Sequence, residues 1–339
     1  MFTRFIIFPA FILTLILTFL VGIIAPLFAE SGNEIIFSTD QAGGSFDLHV
    51  MDVTRNLDML RLTHNNDIES CPRYSPDGNQ IVYNLSTSTD DDGLRLISAD
   101  GRVIRYLLDA DFLSGTWFWS PKLNEATLAY IAREDEQSLL VTVDVNTGAS
   151  HEIVRTNDFL HLAFQSSDIW SSSGEELFYS NGNAVYGVNI NTQMPRLIHD
   201  LQLNYTSITA LSVYEDSLAI VDSYHSDITI INTETLNSTR IHTPDLFIYA
   251  FDWSPNGEHI AILGEQEDRI VVYLVAPDGT NLRQINYFDG FLETGWNIQW
   301  SSNNQWLSIE VNANLYIVDM NSSDIIQTLP ANSCPDWRP

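Results

Sequence analysis

Few residues in this 339-residue chain carry chemistry by type and spacing. The eight histidines, at positions 49, 64, 151, 161, 199, 225, 242 and 259, are scattered, and none has the paired spacing of a zinc site. No Gly-x-Ser-x-Gly nucleophile elbow and no phosphate-binding glycine loop occurs. Carboxylates are so plentiful that no pair of them stands out as an acid and a base. Asp90-Asp91-Asp92-Gly93, after Ser86-Thr87-Ser88-Thr89, groups three hard oxygen ligands that suit Ca²⁺, although the spacing is not that of an EF-hand loop. A solvated acidic turn is the plainer account of it, and no other cofactor is expected.

A second feature is aromatic. Phe112-Leu113, Phe159-Leu160, Leu246-Phe247 and Phe291-Leu292 recur in connecting segments, each following an Asp or Gly, with Trp117 and Trp296 close behind two of them. Connectors are ordinarily polar, so these apolar pairs need a reason. Either they wedge between neighbouring structural units, or they line an aromatic funnel for a peptide or sugar. On the second reading Phe112, Leu113, Trp117, Phe159, Leu160, Phe247, Phe291 and Trp296 are the candidate ligand-contacting residues.

The elements that position these residues are repeats. An aromatic or apolar anchor followed by a turn recurs as Arg73-Tyr74-Ser75-Pro76-Asp77-Gly78, Phe118-Trp119-Ser120-Pro121, Ile169-Trp170-Ser171 and Ser212-Val213-Tyr214. It continues as Asp252-Trp253-Ser254-Pro255-Asn256-Gly257, Gln299-Trp300-Ser301 and Pro335-Asp336-Trp337. From Tyr74 to Trp337 the anchors lie 45, 51, 43, 40, 47 and 37 residues apart, the spacing of four-stranded propeller blades. Proline fixes φ at the second turn position and glycine accepts positive φ, so Ser-Pro-Asp-Gly closes a hairpin. Short aliphatic and aromatic runs between such turns read as strands, and no long stretch has helical period.

The first unit, from Glu34-Ile35-Ile36-Phe37, lacks an anchor strand, whereas Cys334 to Pro339 is an anchor strand with nothing after it. Pairing the two completes a blade and closes a ring, removing the exposed edges of an open one. This predicts an all-β, seven-bladed propeller of four-stranded antiparallel blades over residues 30–339. The unit around Val213 is the most degenerate, and without it the ring would have six blades.

These repeats resemble the WD40-like repeat of TolB-type propellers, most closely in Ile35–Asp40, Asp47–Asp52, Leu60–Thr63 and Pro72–Gly78. The resemblance covers nearly all of the chain after residue 29 and specifies fold rather than activity. TolB carries an α/β domain before its propeller, whereas here about four residues separate Ala29 from the first strand. TolB-type propellers usually have six blades. TolB's own partners are therefore not carried over.

Cys71 and Cys334 are the only cysteines, and each precedes the proline of an anchor strand. Ring closure puts those strands in adjacent blades, and a Cys71–Cys334 disulfide is expected if the chain is exported. The alternative is two free thiols.

Arg4 followed by an apolar run from Phe5 to Ala29 reads as an export signal, with residues 1–29 either cleaved or kept as a membrane anchor. The globular part is thus expected outside the cytoplasm, touching membrane only through that segment. With 44 Asp and Glu against 15 Lys and Arg, the net charge is −29. Such a surface repels nucleic acid and anionic lipid. Four Asn-x-Ser/Thr triplets, starting at Asn84, Asn204, Asn237 and Asn321, are assigned no role.

The expected function is an extracytoplasmic, monomeric binding scaffold. It would present loops and a channel mouth to a protein, peptide or glycan of the cell envelope. A cell-envelope lyase or hydrolase with its site in the channel, and a sensory or structural ectodomain on a membrane anchor, are the alternatives.

Overall fold

The computed structural model describes residues 32–40, 45–55, 59–87, 92–102, 104–109, 117–123, 125–160, 162, 168–201, 208–222, 227–243, 245–331 and 334–339. The strands form seven antiparallel sheets arranged as the blades of a propeller. Blade 1 orders Asp336–Trp337, Glu34–Thr39, Asp47–Asp52 and Met59–Arg61 from inside to outside. Blade 2 comprises Ile68–Tyr74, Gln80–Ser86, Gly93–Ser98 and Ile104–Asp109, and blade 3 Trp117–Trp119, Thr127–Glu134, Gln137–Asp144 and Ser150–Thr156. Blades 5, 6 and 7 repeat the plan over Ile208–His242, Phe247–Asp289 and Trp296–Pro330.

The unit weakest in sequence keeps the expected plan, and another departs from it. The unit containing Val213, the most degenerate in sequence, is a full four-stranded blade, and this makes the count seven. Blade 4 is the irregular one. Among the described residues its sheet has three strands, Glu176–Ser180, Ala184–Asn189 and Pro195–Asp200, and its inner position is held by a bridge from Trp170 to Leu177.

The middle strands are covered on both faces because blades stack against one another. Their burial is therefore continuous rather than alternating, as in Leu48–Met51 and Ile260–Leu263. Outermost strands such as Ile325–Pro330 keep one face in solvent. The apolar clusters run between blades: Ile35, Phe37 and Met51 of blade 1 pack with Leu315 and Ile317 of blade 7 around Trp337.

The ring closes as the orphan strand implied. Ile35 pairs with Trp337 and Ile36 with Asp336, antiparallel. Gly32 N donates to Arg338 O at 3.0 Å and Arg338 N to Glu34 O at 2.8 Å, extending the ladder. Cys71 and Cys334 form a disulfide with their Cα atoms 4.6 Å apart, across 263 residues. Both have positive φ, 48° and 33°, and both precede a proline. In blade 2 the register shifts between Ser70 and Arg73, so Pro72, which has no N–H to donate, sits at a bulge instead of in the ladder.

A serine side chain fixes the turn after each of four anchors. Ser75, Ser171, Ser254 and Ser301 Oγ accept the N–H of the residue five further on, at 2.9, 3.0, 2.9 and 2.9 Å. Three residues after the serine the backbone is left-handed: Gly78, Gly174 and Gly257 have φ of 67°, 65° and 68°. The seventh blade places Asn304 there at 61°; asparagine tolerates this region better than other side chains do.

Candidate functional site

Two regions of the ring combine exposed or enclosed space with distinctive side chains. One lies where the inner strands start, the other where they end.

At the strand ends, three of the anchor tryptophans lock their blades to the preceding ones, whereas the indole N–H groups of Trp253 and Trp300 have no acceptor among the described residues. Trp119 Nε1 donates to Arg73 O, Trp170 Nε1 to Phe118 O and Trp337 Nε1 to Gln299 O, all at 3.2 Å. The residue before the anchor works in the forward direction. Asp252 Oδ2 accepts the N–H of Trp300 at 2.8 Å, and Asp336 Oδ2 accepts that of Tyr74 at 2.7 Å. Gln299 Nε2 donates to Asp336 Oδ1 at 2.9 Å. Carboxylates accepting backbone N–H groups in a buried joint make stronger bonds than neutral acceptors.

The same residues border a cavity of about 240 Å³ between the inner strand ends of blades 1 to 4. Arg73, Asp168 and Asp336 provide its charge, and Trp117, Trp119 and Trp337 its flat apolar wall. Arg73 approaches Asp336 only to 3.7 Å and stands over the Phe118 ring at 5.9 Å. Asp168 Oδ1 accepts the N–H of Trp170 at 2.8 Å. Burial pushes the Asp168 carboxyl up to about 7, opposed by its backbone N–H donors and by Arg73, and reinforced by Asp252. Burial likewise raises Asp336, against the pull of Arg73 and its hydrogen bonds. Desolvation disfavours the charged form, so both carboxyls hold their protons to higher pH than ordinary carboxylates. Trp117 is 5% exposed, and its indole N–H has no acceptor among the described residues.

At the strand starts, the aromatic connectors divide. Phe159, Phe247 and Phe291 are 51%, 52% and 56% exposed. Leu160 is buried in the core of blades 3 to 5, and Trp117 is buried against blades 2 and 3. Trp296 is half-buried. Phe247, Tyr249 and Trp296 form one aromatic chain, with ring centroids 5.0 and 5.8 Å apart, and Tyr249 Oη donates to Glu265 at 2.9 Å. Phe159 lies under Arg133 at 4.2 Å. Phe112 and Leu113 fall outside the described residues.

Asp90 and Asp91 also fall outside them, as do residues 1–29. Asp92 Oδ1 accepts the Thr87 N–H and Oδ2 the Ser86 hydroxyl, and these bonds hold its carboxyl low. Among the described residues no cluster of three His, Cys, Asp or Glu side chains could hold a metal ion, and no helix is long and apolar enough to cross a membrane.

Sequence reasoning passed over Arg73, Asp168 and Asp336. The usable signal for Arg73 and Asp336 was the position directly before the anchor aromatic, which repetition places at the same level of adjacent inner strands; Asp168, two residues before Trp170, lies off that position.

No protein-family model matches the chain. Its fold is similar to TolB from Acinetobacter baumannii, with a TM-score of 0.57 at 13% identity over 91% of this chain and 67% of that one. An oligogalacturonate lyase from Vibrio parahaemolyticus gives 0.62 at 12%, over 88% and 85%. A prolyl endopeptidase gives 0.67 at 11%, over 91% of this chain and 49% of that longer one, so this chain spans about half its length. Identities this low establish a shared TolB-like β-propeller fold, and no shared activity.

Proposed function

We propose that this TolB-like propeller is an extracytoplasmic binding scaffold whose strand-start face docks a peptide or glycan of the cell envelope. The observation that carries this reading is the half exposure of Phe159 and Phe291 in connectors and of Phe247 at the first position of an inner strand, from three blades of one ring. Rings held on a rigid β framework lose little side-chain entropy on binding, and aromatic residues dominate binding hot spots. The Phe247–Tyr249–Trp296 chain adds a continuous platform across blades 6 and 7. An export-type segment at residues 5–29 and the net charge of −29 support a location outside the cytoplasm.

Replacing Phe159, Phe247 and Phe291 with serine together tests the reading, scored on envelope-derived peptide and glycan arrays alongside the melting temperature. Binding by the parent that is lost at unchanged Tm supports docking at this face. Binding that survives the triple substitution removes the reading, and a large fall in Tm assigns these rings to packing.

A further inference from the structure

The strand-start side of the ring pairs arginines with aromatic rings in two places. On blade 3 the exposed Phe159 carries the guanidinium of Arg133 at 4.2 Å. On blade 6 Tyr287 carries that of Arg269 at 5.0 Å, and the same guanidinium lies 3.4 Å from Asp289. The Phe247–Tyr249–Trp296 chain has rings and carboxylates but no arginine. Among the described residues no cation stands over any of these three rings.

Glu265 is the register partner of Phe247, so both side chains lie on one side of the sheet, and its Oε2 accepts the Tyr249 hydroxyl at 2.9 Å. A carboxylate has a second oxygen, and Oε1 can take a guanidinium while Tyr249 keeps its bond. Glu267 and Asp268 form the exposed tip of the hairpin that follows. Asp245 and Glu293 lie exposed in the segments leading into the inner strands of blades 6 and 7. None of these five carboxylates is in an ion pair among the described residues, whereas the neighbouring Asp289 is.

Ring faces beside carboxylates favour a cation. A neutral sugar would use the rings and gain nothing from the charges, and an anionic glycan would be repelled. Charges spread over two blades suit a ligand with several cations better than a single amine. A planar guanidinium stacks on a ring and meets a carboxylate with two parallel bonds, as an ammonium does not. In an extended peptide alternate side chains recur on one side about 7 Å apart, close to the 5.0 and 5.8 Å steps of the ring chain. Resting on the reading that this face docks a ligand, we propose that Phe247, Tyr249 and Trp296, with Glu265, Glu267 and Asp268, bind an extended peptide segment bearing alternate arginines.

The test is calorimetric titration of the full chain with acetyl-Gly-Arg-Gly-Arg-Gly-Arg-amide, beside the same peptide with citrulline, a neutral isostere, in place of arginine. The arginine peptide should bind at least about tenfold more tightly, the worth of one charge-assisted hydrogen bond. Raising the salt to about 500 mM should remove most of that preference. Glu265→Gln keeps an acceptor for Tyr249 and should weaken the arginine peptide about tenfold. Glu267→Gln with Asp268→Asn should weaken it as well. Asp135→Asn with Glu136→Gln removes the same two charges from the matching hairpin tip of blade 3, where φ is 47° and 66° against 48° and 64°, and should leave binding unchanged. Equal losses from the two hairpins would assign the binding to diffuse charge and overturn the proposal. Equal affinity for the citrulline peptide, or no binding of the arginine peptide, would overturn it too. If glycans or neutral peptides bind and are lost on replacing Phe159, Phe247 and Phe291, while the arginine peptide does not bind, the docking face stands and its cationic ligand falls. The parent's choice between arginine and citrulline decides the matter, so a variant that fails to fold does not rescue the proposal.

Discussion

Asp336 and Tyr74 lie 262 residues apart in sequence and are joined by a 2.7 Å hydrogen bond from the Tyr74 N–H to Asp336 Oδ2. The same carboxylate accepts from Gln299, so one side chain ties blades 7, 1 and 2 together at the point where the ring closes. Asp336→Asn offers one acceptor oxygen where two are used. It should cost about 1–3 kcal/mol, the range for leaving a buried hydrogen-bond group unsatisfied. Urea denaturation of the two proteins measures this, and a loss below about 0.5 kcal/mol would show that the joint relaxes around the amide.

The disulfide reinforces the same joint. In the chain-entropy model a bridge closing so long a loop removes about 5–6 kcal/mol of denatured-state freedom. Cys71→Ser with Cys334→Ser should therefore lower Tm markedly while the folded protein keeps its β-sheet circular dichroism. Equal melting of the double variant and the parent would mean that the bridge adds nothing beyond the strand pairing of Ile35 with Trp337.

Two buried carboxyls set a pH dependence. Burial raises both Asp168 and Glu310 to about 7, from ordinary values of 3.8 and 4.5. The folded state thus binds these protons more tightly than the unfolded state. The contribution is favourable at low pH, declines as pH rises from about 4 toward 7, and is lost above the folded-state value. Asp168→Asn and Glu310→Gln should raise Tm at pH 8 and change it little at pH 4. Equal effects at both pH values would show that neither carboxyl titrates in that range.

Left-handed glycines give a paired comparison. Gly148 and Gly257 have φ of 74° and 68°, yet a Cβ at Gly148 meets nothing within 4 Å, whereas one at Gly257 falls 2.3 Å from the Tyr214 ring. Gly148→Ala should cost about 1 kcal/mol, the conformational term alone. Gly257→Ala adds the displacement of Tyr214, which stacks on Trp253 at 5.5 Å, and should cost at least twice as much. Matching losses would mean that Tyr214 swings aside freely.

The architecture was legible because its signals repeat. A turn of Ser-Pro-Asp-Gly type appears once as chemistry and several times as a period, and the unmatched strand at Asp336–Trp337 pointed to its partner at Ile35–Ile36. Regularity was harder to judge: the weak sequence around Val213 builds a full blade, because paired strands need apolar faces more than they need an anchor tryptophan. The strand-end cavity was illegible for a different reason. Arg73, Asp168 and Asp336 are far apart in the chain, and among 44 acidic residues nothing local marks which few will be desolvated. The connector aromatics were visible, but their division into buried Leu160 and exposed Phe159 depends on which of two adjacent side chains turns inward.

Building one blade from both ends of the ring has a kinetic corollary. Glu34–Thr39 cannot acquire its inner neighbour until residues 336–337 arrive, after the other six sheets have had the opportunity to form. Most pairings are hairpins between neighbouring strands, but this one joins segments about 300 positions apart, and contacts of such separation slow the search for the native topology. Refolding should then show a late phase that vanishes when 334–339 are removed, with an incomplete, unlatched ring as the species accumulating before it.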